Sequence, residues 1–143
     1  MNKTEFHPIK RDTKGNRTGW VVSPDGARIY VETAGSGTPI LLVHGWTMSG
    51  RFWRHQMTGL SDRFNVVTMD LRAHGNSSKT LEGHTMGGYS EDIHAVISAL
   101  NLEKVVLVGW SLGGPVVLEY WHRFGDKKLS ALVLVEMTPF PFS

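Results

Sequence analysis

Four short apolar runs constrain this chain more than any other feature. Residues 40–43, 105–108 and 131–135 are unbroken, 64–69 is interrupted by Asn65 and Thr68, and all are rich in β-branched side chains and bounded by polar, Pro or Gly positions. A strand with one face in water alternates polar and apolar residues. Continuous apolar character therefore fits strands buried on both faces, as in a parallel sheet. Helical periodicities lie between the runs. Phe52, Trp53, Met57 and Leu60 fit one short helix. Tyr89, Ile93, Val96, Ile97 and Leu100 recur at helical spacing, and so do Leu112, Val116, Val117, Tyr120, Trp121 and Phe124. Upstream, the runs 20–22 and 29–31 flank Ser23-Pro24-Asp25-Gly26, which reads as a hairpin turn. The order predicts an α/β fold: a mostly parallel sheet of about six strands flanked by helices, with right-handed crossovers. Residues 1–17 are polar and aperiodic and are expected to form a flexible N-terminal arm. Residues 18–143 then make one domain, within the usual range of roughly 100–200 residues.

Composition removes several function classes. Lys plus Arg is 15 against 13 Asp plus Glu, a net of +2, which is too even to argue for nucleic acid or a membrane surface as partner. There is no Cys, hence no disulfide scaffold and no thiolate nucleophile. The 7 histidines are scattered with no H-x-x-x-H pair, so no metal site is expected, and no cofactor motif is visible. Gly35-Ser36-Gly37 precedes a strand rather than following one, and no phosphate-loop pattern occurs, which disfavours a nucleotide-binding domain. Nothing approaches the length of apolar run that spans a bilayer. The first ten residues lack the apolar segment of a secretory signal, so a cytoplasmic location is the expectation.

One motif carries chemistry. Gly109-Trp110-Ser111-Leu112-Gly113 matches the G-x-S-x-G nucleophile elbow, directly after the run 105–108 and directly before the helical pattern that starts near Leu112. A tight strand-to-helix bend forces a strained backbone at the Ser and a close approach of its flanks, for which Gly109, Gly113 and Gly114 leave room. The hydroxyl would then sit at a helix N-terminus, where partial positive charge favours a developing anion.

With two further segments in order, the chain resembles the α/β-hydrolase family. His44-Gly45-Trp46, after the first parallel strand, looks like that family's oxyanion-hole loop. Asp70-Leu71-Arg72-Ala73-His74-Gly75-Asn76-Ser77, after the next strand, is similar to its D-x-R-G-x-G-x-S turn, with Ala73 where Gly is usual. Single-domain esterases and cofactor-free haloperoxidases (perhydrolases) are nearest in style. The resemblance implies Ser111 as nucleophile and the main-chain N–H groups of Trp46 and Leu112 as oxyanion donors. It implies a small acyl substrate and no cofactor. Asp70, Arg72 and His74 read better as a turn network than as catalysts.

A base is harder to find. In this fold the triad runs Ser, then Asp or Glu, then His. The one His after Ser111 is His122, about 16 Å along the same helix at 1.5 Å per residue. His7, His44, His55, His74, His84 and His94 precede the elbow. The family's His follows an eighth strand, so the chain is expected to be an N-terminal half, truncated after strand six. Glu136, closing the last run, is a candidate acid, because part of the family carries its acid there. The apolar stretch from Ala131 to Val135 has no Lys or Pro guard, which suggests a homo-oligomer or a companion fragment pairing at that edge. The competing reading is a non-catalytic α/β module that keeps the elbow and binds a small molecule or a protein partner.

Overall fold

The four apolar runs become neighbouring parallel strands. The computed structural model describes residues 5–136. The chain runs β1 (Phe6–Arg11), β2 (Arg17–Val22), β3 (Arg28–Ala34), β4 (Pro39–Val43), a 3-10 turn (Gly50–Trp53) leading into α1 (Arg54–Leu60), β5 (Asn65–Met69), α2 (Met86–Ala99), β6 (Val105–Trp110), α3 (Gly113–Phe124) and β7 (Leu129–Val135). All strands join one sheet in the order β1-β2-β3-β5-β4-β6-β7. β5, β4, β6 and β7 pair in parallel. β1, β2 and β3 are added antiparallel on the β5 side.

The α/β architecture is the expected one, but the sheet is mixed and has seven strands rather than about six. The additional strand is β1, inside the segment expected to be a flexible arm. Its residues bury almost nothing: Phe6 alone is half-buried, and Ile9 is 59% exposed. The register slips between Pro8 and Lys10. An edge strand tolerates Pro and charge because one side of its backbone needs no partner. Such a strand has no apolar period to betray it.

Helices α2 and α3 cover one sheet face, packing Ile93, Val96, Val116 and Tyr120 on Val31, Leu41, Val67 and Leu107. The 3-10 turn and α1 cover the other, where Trp53 packs with Ile40, Leu42, Val66 and Val108. Successive side chains of β4 thus go to opposite cores, which is why its sequence is apolar throughout. β7 is an exception among the four runs: at the sheet edge, Val133 and Leu134 remain 40% and 42% exposed.

A buried ionic knot ties the antiparallel and parallel halves together. Arg72 is 2% exposed. Its Nε and one Nη donate to the two oxygens of Asp92 at 2.7 Å each, and its other Nη donates to Asp25 at 2.7 Å. Ser23 donates to the same Asp92 at 2.5 Å. The hairpin turn, the segment after β5 and helix α2 are thereby joined through one guanidinium. Hydrogen bonding to Asp92, reinforced by Asp25, holds Arg72 above its ordinary range. Burial pushes the Asp92 carboxyl up, and the Arg72 fork and the Ser23 hydroxyl pull against it. Removing one partner from such a pair strands a buried charge, whereas replacing both by apolar groups does not. Asp92→Ala is expected to cost about 3–5 kcal/mol in urea unfolding, and the double variant Arg72→Met/Asp92→Leu less than the single one. A double variant as damaged as Asp92→Ala would contradict this.

Candidate active site

β6 ends at Trp110 and α3 begins at Gly113, leaving Ser111 and Leu112 to make the bend. Ser111 has φ +52, a left-handed conformation that costs a side-chain-bearing residue of order 1–3 kcal/mol and persists where its surroundings fix it. Here they do. The Ser111 N–H donates to the Val135 carbonyl at 3.2 Å, and Gly114 N–H donates to the Ser111 carbonyl at 2.9 Å. A Cβ on Gly109 would strike the Gly113 carbonyl, and one on Gly113 would strike the Val43 carbonyl. Leu112 stands at the N-cap of α3 with φ −53 and no side-chain cap, so its own amide is left for another acceptor.

The loop after β4 approaches this bend. His44 is fully buried. Leu71 N–H donates to its Nε2 at 2.9 Å, so the ring proton is assigned to Nδ1, which donates to the Gly45 carbonyl at 2.7 Å. Burial holds its pKa down to about 4. His44 is therefore a neutral strut between two loops. Next comes a tight turn, closed by Met48 N–H donating to the Gly45 carbonyl at 3.2 Å. Its third residue, Thr47, has φ +63. Type II turns take that value there and prefer Gly, and a β-branched residue in it is an outlier. Trp46 holds the second position, whose N–H a β-turn does not use.

Among the described residues, neither the Trp46 nor the Leu112 N–H meets a protein acceptor. Both residues line one cavity of about 490 Å³, together with Thr47, Met48, Ala73, His74, Gly75, His84, Met86 and Tyr89. No Lys, Arg, Asp or Glu stands in that lining. Trp46 itself is 69% exposed. Reading the sequence missed the cavity roles of His74, His84, Met86 and Tyr89, because the loops that gather them have no periodic signature.

The other expected residues fall into place around it. Asp70 accepts from Gly50 N–H at 2.7 Å and from Asn76 N–H at 2.8 Å. Ser77 donates to the Asp70 carbonyl at 2.5 Å and accepts from Tyr30 N–H at 2.9 Å. With Arg72 they form a turn network. Ala73 takes φ +63, at the position where the resembled pattern carries Gly. Glu136 is exposed, has φ +46 and follows Val135, which is in register with Trp110. It therefore stands beside Ser111 on the neighbouring strand. His122 is exposed near the C-terminal end of α3, away from Ser111. Among the described residues, no three His, Asp or Glu side chains gather as a metal site.

The His44 strut has a pH signature. Its ordinary pKa of 6.5 is lowered to about 4 in the fold, so folding favours the neutral ring. Its contribution is complete above pH 6.5 and disappears as pH falls through 4, a loss of about 3 kcal/mol. Urea midpoints measured between pH 7.5 and 4 should fall, and His44→Gln should flatten that fall. An equally steep acid limb in His44→Gln would contradict the assignment.

Comparison with known proteins agrees with this fold. The sequence model of the alpha/beta hydrolase fold matches residues 38–143. A non-heme haloperoxidase of Rhodococcus erythropolis is 38% identical over 121 residues, covering 84% of this chain and 44% of that protein. A bifunctional esterase/perhydrolase of Acinetobacter calcoaceticus is 35% identical, covering 85% and 45%. Among solved structures, an esterase from Exiguobacterium antarcticum superposes with TM-score 0.82 at 31% identity, covering 84% of this chain and 45% of its own. The chain thus spans less than half the length of these relatives. No helix of the described residues is long and apolar enough to cross a membrane. From the elbow, the loop after β4 and the match over residues 38–143, the chain belongs to the alpha/beta hydrolase fold family.

Proposed function

We propose that this chain carries the nucleophilic half of a serine hydrolase that acts on carboxylic esters or related acyl substrates. The observation that carries the reading is the left-handed Ser111, which precedes Leu112 and lies against Gly45, while Trp46 and Leu112, whose N–H groups meet no protein acceptor among the described residues, line one cavity without charged side chains. Ser111 Oγ attacks the acyl carbonyl and passes its proton to a base. The carbonyl oxygen becomes an anion held by the N–H groups of Trp46 and Leu112, donors typically worth about 3–4 kcal/mol each. Collapse of that intermediate breaks the bond to the leaving group, which takes a proton, and leaves an acyl ester on Ser111. Water then repeats the sequence. The relatives include a soluble epoxide hydrolase of a Corynebacterium strain. Epoxide hydrolases use Asp as nucleophile, and a Ser at position 111 argues against that chemistry.

The base is the missing part. Both ring nitrogens of His44 are engaged and the ring is buried, and His122 is on the wrong end of α3. His74 and His84 line the cavity but precede Ser111; because the base of this fold follows the nucleophile in the chain, we infer that another segment supplies it, with Glu136 as the candidate acid. We place the supplying segment, whether a companion fragment or a second copy, at the open β7 edge. The same lack of a base favours the second reading, a module that binds a small molecule without turning it over.

The 143-residue chain alone should hydrolyse p-nitrophenyl acetate weakly, at most about 10³–10⁴-fold above background, the residue left by an oxyanion site and binding. A fluorophosphonate should label Ser111 slowly, and Ser111→Ala should abolish the label. An inert Ser111 in a protein that still binds apolar ligands would favour the binding module instead.

A further inference from the structure

The elbow and the loop after β4 also meet through an aromatic contact that the hydrolase reading leaves unused. Trp110 immediately precedes Ser111. Its indole lies against Gly45, where a Cβ would stand 2.9 Å from two ring carbons and 3.0 Å from Ser111 Cβ. The same indole stacks on Phe52, with centroids 4.0 Å apart and planes 10° from parallel. Phe52 belongs to the 3-10 turn and meets Trp53 edge-on at 5.0 Å. The stretch 44–53 is thus held at three points. His44 to Leu71 and Gly50 to Asp70 tie it to the segment after β5. Phe52 to Trp110 ties it to β6, the strand that carries Ser111.

Backbone strain makes the third tie consequential. Thr47 at φ +63 follows the Trp46 amide, and Ser111 at φ +52 precedes the Leu112 amide. Left-handed residues with side chains relax unless the surroundings over-determine them. We propose that the Phe52–Trp110 stack is a positioning clamp that sets the separation of the Trp46 and Leu112 amides, and so how well the pair receives an oxyanion. This rests on the reading of Ser111 as nucleophile. Phe52 and Trp110 are positioning residues, because neither lines the cavity. Loosening the clamp therefore slows the bond-making step and leaves occupancy of the cavity alone. Misplacement by about an ångström costs up to about 10²-fold in rate.

The test follows fluorophosphonate labelling of the intact chain. Ser111 Oγ forms the O–P bond, the P–F bond breaks, fluoride leaves, the hydroxyl proton goes to water, and the phosphoryl oxygen occupies the amide pair. Label incorporation measured against probe concentration separates the limiting rate from the half-saturating concentration. Phe52→Leu should lower the limiting rate about 10- to 100-fold with half-saturation unchanged, and Phe52→Tyr, which keeps the stack, should restore most of it. Each protein is assayed well below its own melting temperature, so a merely structural role would leave the limiting rate intact. Should Phe52→Leu fail to fold, Trp110→Phe, which shortens the stack, should give an intermediate rate. A wild-type rate in the folded variant, or a change confined to half-saturation, overturns the clamp while leaving the nucleophile in place. Failure of the wild type to label at Ser111 removes the nucleophile reading, and the clamp with it.

Discussion

The site depends on one close approach: the bend between β6 and α3 lies directly on the end of β4. A Cβ on Gly113 would meet the Val43 and His44 carbonyls, and one on Gly45 would meet Trp110 and Ser111. Two loops far apart in the sequence are in contact because the sheet order is β5-β4-β6. From β4 the chain moves outward to β5 on one side, then returns to lay β6 on the other. Loops leaving β4 and β6 are therefore neighbours at the carboxyl ends of their strands, where open α/β sheets form a crevice. Any side chain at position 113 would force the bend off β4, and the two free amides would no longer share a cavity.

The framework was legible in the sequence because burial on two sides leaves a strong mark. The runs at β4, β5 and β6 and the periodicity of α2 and α3 follow from which faces are covered. The elbow was legible because its glycines answer a steric demand within five consecutive residues. β1 was not, since an edge strand that buries only part of Phe6 needs no pattern. The role of His44 was half-legible. Its place in the loop after β4 was visible, but its neutral ring depends on Leu71, a partner that only the folded chain supplies. Thr47 gave no warning either. A Thr in a turn position that favours Gly is explained by the ties on both sides of it, none of which is local.

Backbone strain in this chain has a pattern. Besides Asn101 and Lys104, which precede β6, the side-chain-bearing residues with positive φ follow parallel strands: Thr47 follows β4, Ala73 follows β5, Ser111 follows β6 and Glu136 follows β7. Each parallel strand therefore delivers a left-handed residue to the same end of the sheet. Such residues are retained where the surroundings fix them, and the surroundings here are unusually polar and connected. Asp70 accepts from two main-chain amides, Ser77 bridges Asp70 to Tyr30, and Arg72 binds two carboxylates. The buried charge that looks like a stability device thus also holds the segment that carries Ala73 and two walls of the cavity, Ala73 and His74.

On the proposed reading, oxyanion stabilisation and proton transfer separate in this chain. Amide donors act by being in place before charge develops, which requires rigid backbone and no titratable group. The bend at Ser111, the turn at Thr47 and the start of α3 satisfy that requirement within residues 44–114. A base acts only when its ring reaches the hydroxyl: His44 has both ring nitrogens engaged, by Leu71 and Gly45, while His74 and His84 each have one bonded to a main-chain carbonyl. The enzyme and binding-module readings therefore share every feature of the cavity and part company at a single proton acceptor.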